Sequence, residues 1–486
     1  MIMKYRFLAF VFIVILKTAY SERCLCQNTA MAAWKAGASS VDITPSMPMW
    51  MAGYGSRNKP GNEVAHPLHA KALVLKDGRG KVAIILTADL LGIPATLRKM
   101  VEEKVSEQYN VSPSFLLMSY SHTHSGPEVR SIVTSLSERD PIRTELVNKY
   151  RKELEGKIIK VIDEAYARMA PAKLSYGSAK AGFAMNRRMD YSLEKDDIRY
   201  GKAPASGGPV DHDVPVLQIS GSDGSLLAVL FGYACHATTL GNYTFHGDYP
   251  GFAQHYLEES HKGSVALFMA GCGADQNPHP RGDMVSGLTG LDLAKMHGRT
   301  LALAVEAALN SNPVPLEPRL ESVLETIPLE YLPAPSRGEL KKQAETKDIT
   351  IKENAEVLIE WMDRDGNLPA SYPYPIQVMH FGNKLTLVAL ASEVVVDYSL
   401  RLKKELPGPV WVAAYSNDFL GYIPSFRIWS EGGYEGGKSM TFSSSTLYRG
   451  AAHPGIWASS AEENIIVKIR EMNSRITGDS NKITGK

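Results

Sequence analysis

An α/β protein with mixed β-sheets flanked by helices is the fold class this sequence predicts, and two observations predict it. Apolar runs fold back on themselves around turn residues, and helical stretches lie between them. "HAKALVLKDGRGKVAIILTADL" reads as a hairpin around Asp77-Gly78, where turn chemistry separates two apolar arms. "VPVLQISGSDGSLLAVLFGYACHA" repeats the pattern around Asp223-Gly224, and "MHFGNKLTLVALASEVV" around Gly382-Asn383. Between them, Thr144 to Met169 places Leu154, Ile158 and Ile162 four apart on one helix face, and Leu291 to Leu309 is rich in Ala and Leu. A last helix is expected to open on Ser460, with Glu463 completing a capping box. The proline-containing stretch from Asn310 to Leu340 is the most plausible internal boundary, but residues on both sides of it build one site, so residues 32–480 are expected to form one domain. No repeat of solenoid or propeller length is visible.

Composition bounds the function. With 486 residues the chain can bury a large core, and a net charge of +1 gives no electrostatic case for nucleic acid as a partner. Hydrophobic content of 44% and charged content of 22% are those of an ordinary globular protein. Lys4 and Arg6 precede the apolar run Phe7 to Leu16, and Ala19-Tyr20-Ser21 offers small residues beyond it, so residues 1–21 read as a removed secretory leader and the mature chain as secreted or periplasmic. That run is short for a membrane span, which needs roughly 20 apolar residues. Of the four cysteines, Cys24 and Cys26 sit near the expected mature N-terminus, while Cys235 and Cys272 end two apolar runs; an oxidising compartment permits a disulfide between the latter pair without requiring one.

The chemistry gathers where apolar runs stop. "FLLMSYSHTHSGPE", Phe115 to Glu128, ends in two histidines, and if strand geometry persists His122 and His124 point to the same side. On that tripeptide alone, two exposed loop histidines would serve as well. The pattern recurs, however: "LLAVLFGYAC" delivers His236, "LTLVALAS" delivers Glu393, and "VWVAAYSNDFLG" leads to Tyr422. Sites in α/β sheets collect beyond the carboxyl ends of strands, so a metal site is expected there.

Several blocks in order give the chain a specific resemblance. "AGASSVDITP" with "MAGYG", "SHTHSGP", "CHATTL" followed by "HGDYPG", "ASEVVVDYSLRLKKEL" and "YIPSFRIWSEGGYEGG" are similar to the neutral (alkaline) ceramidases, zinc amidases that hydrolyse the N-acyl bond of ceramide. The resemblance covers most of the mature chain and implies the catalytic portion without the C-terminal immunoglobulin-like domain of longer members. It implies Zn2+ held by His122, His236, Glu393 and Tyr422. It also implies that His124 faces the substrate carbonyl or the metal-bound water, that Arg188 in "MNRRM" is the site arginine, and that Tyr434 is the second tyrosine. Bound zinc would lower the pKa of water toward about 7 and polarise the scissile carbonyl. A lipid or other small-molecule substrate, with peripheral membrane contact for access to it, follows from the same resemblance; no feature sets an oligomeric state.

One block departs from the family. Where the ceramidases carry Gly-Asp-x-Ser-Pro, this chain reads "FMAGCGADQNPHPRG", and Gln276 is aligned with their serine, so that Asp275, Gln276 and Asn277 are expected to meet a polar substrate. "GGYEGGKS", Gly432 to Ser439, matches the phosphate-loop pattern by letter but lacks a following helix pattern, and no GxSxG elbow occurs. Asp42, Asp89 and Asp248 read as turn or cap residues. Three functions remain open: a secreted zinc amidase, a zinc hydrolase of the same fold acting on an ester or sugar derivative, and a non-catalytic surface protein that keeps a zinc.

Overall fold

The computed structural model describes residues 33–46, 48–129, 140–188, 208–282, 285, 287–441 and 453–478; the predicted leader, Cys24 and Cys26 lie outside these residues. The strands that matter here are β1 (Trp34–Asp42), β2 (His69–Lys76), β3 (Val82–Ala88), β4 (Leu116–Tyr120), β5 (Ala170–Lys180), β6 (Ala184–Asn186), β7 (Asp213–Gly221), β8 (Leu226–Tyr233), β9 (Val265–Ala270), β10 (Gln276–Pro278), β11 (Leu320–Glu330), β12 (Ser371–Phe381), β13 (Leu385–Leu390) and β14 (Val410–Ala413). The helices are α1 (Ala95–Tyr109), α2 (Pro141–Ala167), α3 (Asp248–Ser260), α4 (Gly290–Leu309), α5 (Arg337–Ala344), α6 (Ile349–Asp365), α7 (Val396–Glu405), α8 (Phe426–Glu431) and α9 (Ala461–Thr477).

The three predicted hairpins are the antiparallel pairs β2/β3, β7/β8 and β12/β13. A nine-stranded sheet runs β9-β8-β7-β5-β1-β2-β3-β4, with the short strand Val314–Pro315 paired to β5, and a four-stranded sheet runs β11-β12-β13-β14. Both sheets are mixed, because β3/β4, β8/β9 and β13/β14 are parallel. Layering follows from alternation along each strand. In β2, Leu73 and Leu75 pack with Leu217, Leu230, Met379, Leu387 and Trp411 between the two sheets. Their neighbours Ala70, Ala72 and Val74 face the other way, into the core that includes Leu154, Ile158 and Ile162 of α2. A strand buried on both faces reads as continuously apolar, which is why β2 and β3 look that way in the sequence. Helices α2, α3 and α4 cover the large sheet, and α7 and α9 the small one.

The sheet curls until its opposite edges, β4 and β9, come together. The chain just after β14 bridges them: Ala414 N donates to Ala270 O (3.0 Å) and Asn417 N to Met118 O (2.7 Å). As a result, the carboxyl ends of β4, β8, β13 and β14 open onto one place, although β4 and β8 are far apart in the order of the sheet.

The capping box expected at Ser460 does not form. Ser460 makes no side-chain cap bond, and Glu463 instead accepts from Arg401 (2.6 Å), so a tertiary ion pair replaces the local cap. The Gly432–Ser439 segment follows helix α8 and leads into a single 3-10 turn, not the strand-loop-helix that a phosphate loop requires. Asp42 does serve a turn, accepting from Thr44 N, and Asp248 accepts from Thr239 and Tyr249 N. Cys235 and Cys272 are buried free thiols.

Candidate metal centre

Strand β4 ends at Tyr120, and His122 then takes a left-handed backbone conformation (φ 56°). Strand geometry therefore does not persist through the histidines, and their approach has a different cause from simple alternation. A non-glycine residue held there costs on the order of 1–3 kcal/mol, and such strain persists only where its surroundings impose it. Here Thr123 bridges to Ala237, and the His122 ring is tied to the chain after β3. The kink turns both rings inward, with His124 Nε2 3.2 Å from His122 Nε2. The two residues are 1% and 8% exposed, which removes the reading as exposed loop histidines. Gly53 of "MAGYG" lets His124 in: it sits at φ +107°, and a Cβ there would lie 2.7 Å from the His124 Cα, Cβ and Cγ.

His122 Nδ1 lies 2.8 Å from Leu91 O, and His236 Nδ1 lies 2.8 Å from Gly273 O. A carbonyl only accepts, so each Nδ1 carries the ring hydrogen and each Nε2 presents a lone pair. Both lone pairs face Glu393 Oε2, each at 3.1 Å. Burial and the nearby Arg187 push His236 down to about 4. Two imidazole lone pairs thus confront one carboxylate oxygen at hydrogen-bond distance, an arrangement that a cation between them turns from repulsive to favourable. Two ligands at about 2.0–2.1 Å from a tetrahedral ion stand roughly 3.3 Å apart, so the spacing fits as well as the chemistry. His122, His124 and His236 also form a buried group able to hold a metal ion.

His124 differs from the other two. Its Nδ1 is buried without a hydrogen-bond partner, and because His122 Nε2 can only accept, His124 Nε2 is the donor between them. Burial, with His122 and His236 next, holds its pKa well below the ordinary histidine value, so it is a neutral ring with one N–H aimed into the centre. Tyr54 packs edge-on against it at 4.9 Å, and Arg57 Nη1 donates to its carbonyl at 2.7 Å.

Tyr422 closes the other side, its hydroxyl 3.5 Å from His236 Nε2. Arg187 Nη2 donates to that oxygen at 2.9 Å and Arg187 Nε to Glu435 Oε1 at 2.9 Å. Burial opposes the arginine charge, but Tyr422 and Glu435 hold it firmly protonated. Tyr434 stands at the mouth, 38% exposed, its ring 5.1 Å from that of Tyr422 and its phenol pushed up to about 12, chiefly by burial.

Two of the predicted side chains, Gln276 and Arg188, are turned elsewhere. Strands β6 and β10 pair Gln276 with Asn186 and Asn277 with Met185. Alternation then puts Asn277 on one face and Gln276 on the other. Asn277 Oδ1 lies 3.4 Å from both Arg187 Nη1 and Thr238 Oγ1, at the centre. Gln276 points into the wall, where its amide accepts from Asp211 N (3.0 Å) and donates to Ala234 O (2.6 Å). The Gly-Asp-x-Ser-Pro spacing itself places Asn277, not Gln276, at the serine once Asp275 is matched to its aspartate. Arg188 likewise runs to Glu431, Glu435 and Gly432 O, leaving Arg187 on Tyr422. Sequence reasoning also passed over Glu435, which holds both arginines; the two acidic residues flanking Gly432-Gly433-Tyr434 were the available signal.

Gln276→Ala is expected to strand a buried N–H and a buried carbonyl, at about 1–3 kcal/mol each, and to lower the denaturation midpoint while leaving KM unchanged. Denaturant titration beside steady-state kinetics checks it. A variant of normal stability with a raised KM would put Gln276 in contact with substrate.

Fold and donors together define an α/β protein built around a buried, metal-competent cluster of histidines at strand ends. The chain belongs to the neutral/alkaline non-lysosomal ceramidase family, whose N-terminal family model matches residues 34–292, just over half of it. It is similar to neutral ceramidase B of Dictyostelium discoideum, 24% identical over 274 residues, and spans 53% of its own length but only 37% of that relative. Among solved structures it resembles the neutral ceramidase of Pseudomonas aeruginosa, with TM-score 0.67 and 19% identity over 90% of this chain and 75% of that one. A ceramidase complexed with C2 gives TM-score 0.67 and 17% identity over 90% and 76%. The mixed α/β architecture expected from the sequence is the fold these structures share.

Proposed function

We propose that the protein is a zinc-dependent amidohydrolase that cleaves an N-acyl bond, with an N-acyl lipid as substrate class. The observation that carries this is the convergence of the His122, His236 and Glu393 acceptor atoms at 3.1 Å while both Nδ1 hydrogens are committed to backbone carbonyls. Zinc suits two imidazoles, a carboxylate and a phenol oxygen, and His122, His236, Glu393 and Tyr422 would hold it. When bound, the metal supplies Lewis acidity, acidifying water and polarising a carbonyl.

The remaining residues act around that centre. Arg187, in the place expected for Arg188, donates to the Tyr422 oxygen and offsets part of the burial that holds the phenol pKa well above its ordinary value. His124 offers its Nε2–H to the amide oxygen as negative charge develops there. Tyr434 is an O–H donor at the mouth, where the amine leaves. The water oxygen joins the acyl carbon, the C–N bond breaks, and the nitrogen departs with the proton. Asn277 at the family serine's position has no nucleophilic oxygen, so the attacking atom is that of water.

The test is a hydrolysis screen of the zinc-loaded protein against ceramides, other N-acyl amides, esters and glycosides, with Glu393→Ala as the blank. Turnover of amides above that blank is expected; turnover confined to glycosides or esters would overturn the amidase reading, and turnover of nothing would favour a zinc-keeping binding protein. The same reading takes residues 1–21 as a removed leader, residues 32–480 as one catalytic domain, and the mature protein as secreted. No described helix is long and apolar enough to cross a membrane.

A further inference from the structure

Beside the metal centre lies an open cavity of about 550 Å3, and its lining is unlike that expected for a neutral lipid. It shares a wall with the centre: Tyr54 packs on His124, and Thr238, two residues after His236, reaches Asn277. Tyr54, Arg57, Thr238, Tyr243 and Arg281 line it; among its described lining residues there is no aspartate or glutamate, and Leu240 is the one aliphatic side chain of appreciable size.

No described acid pairs with the charges there. Arg57 is 6% exposed and spends its hydrogens on the carbonyls of Ala52, His124 and Asn242, which fix it in place but leave its charge uncompensated. Burial pulls its pKa down to about 10, still protonated at neutral pH. Arg281 is half-buried and has no hydrogen bond or ion pair among the described residues, while its neighbour Gly282 is pinned by Thr239 O at 2.7 Å. Lys59, exposed and outside that lining, sits over the ring of Tyr243 at 4.9 Å. Two described acids next to the lining are engaged elsewhere: Asp248 is fully buried and accepts from Thr239 N and Oγ1, and Glu63 accepts from the hydroxyl of Thr244. A concave site with two arginines in its lining and no counter-charge among the described residues is suited to receive an oxyanion.

We propose that this cavity holds an anionic group, a carboxylate or a phosphate ester, on the amine half of the substrate, with Arg281 as its contact and Arg57 as a fixed background charge. The inference rests on the N-acyl hydrolase reading and refines it: the preferred substrate is a negatively charged N-acyl amide, not an uncharged one. Asn277 suits the same assignment, because its amide can bond a polar amine half where a hydroxyl nucleophile would stand.

Three amides with one acyl chain test it: N-dodecanoylglycine, O-phosphorylated N-dodecanoylethanolamine, and uncharged N-dodecanoylethanolamine. The wild-type protein is expected to favour at least one charged amide by about tenfold or more in kcat/KM, the scale of one charged hydrogen bond. Whether carboxylate or phosphate leads identifies the oxyanion. Arg281→Gln should erase the preference through KM while leaving turnover of the uncharged amide unchanged. Equal use of all three by wild type, or an equal loss on all three in Arg281→Gln, overturns the proposal. Should no amide be cleaved, calorimetric binding of the same three to the wild-type protein separates the two ideas. A charged preference lost in Arg281→Gln would then keep the cavity assignment and sink the amidase reading, and equal affinities would sink the cavity assignment too.

Discussion

His122→Ala and His236→Ala are each expected to lose metal and activity together. Both rings are held by an Nδ1–H bond to a backbone carbonyl, Leu91 O in one case and Gly273 O in the other, so their Nε2 lone pairs are fixed in direction before any ion arrives. Removing an outer hydrogen bond of that kind typically costs 10- to 100-fold in metal affinity. Removing the ligand itself should therefore exceed about 100-fold and leave purified protein with little or no zinc. Elemental analysis of the two variants, beside the wild type, reads the result. Full occupancy in both would show that the ligand set is wrong, whatever happens to activity.

His124→Ala is expected to separate the two properties that His122→Ala loses together. No carbonyl anchors His124 Nδ1, and its Nε2–H points at the acceptor cluster, so its chemistry is that of a donor. Loss of one such donor to a developing oxyanion lowers kcat by about 10²- to 10³-fold, or roughly 2.7–4 kcal/mol. The variant should keep near-wild-type zinc and a similar KM. His124 does lie close enough to His122 and His236 to complete a three-histidine group. A zinc-free His124→Ala would make all three histidines ligands and remove the role assigned to His124 here.

Much of the scaffold was legible because it rests on local patterns. The Asp77-Gly78, Asp223-Gly224 and Gly382-Asn383 hairpins and the helix from residue 144 onward all announce themselves within a few residues of chain. What failed at Ser460 shows the limit of such patterns: the capping residues are present, but Arg401 from α7 offers Glu463 a charged partner that the local sequence cannot reveal.

The centre divides the same way. By itself the sequence determined that His122, His236 and Glu393 follow the carboxyl ends of apolar strands almost at once, and that Tyr422 follows one after the intervening residues 414–421, since each lies downstream of its strand in the same stretch of chain. Only the tertiary structure decided that these ends meet, through a curled sheet whose edges are bridged by the chain after β14. Only the structure decided, too, that Arg187 and Asn277 face the centre while Arg188 and Gln276 turn away. For Gln276 and Asn277 the physical reason is the period of two along a strand. Which of two neighbouring residues points inward is fixed by the register of β6 against β10, and register is set by pairing across 90 residues of chain, not by the identity of either residue.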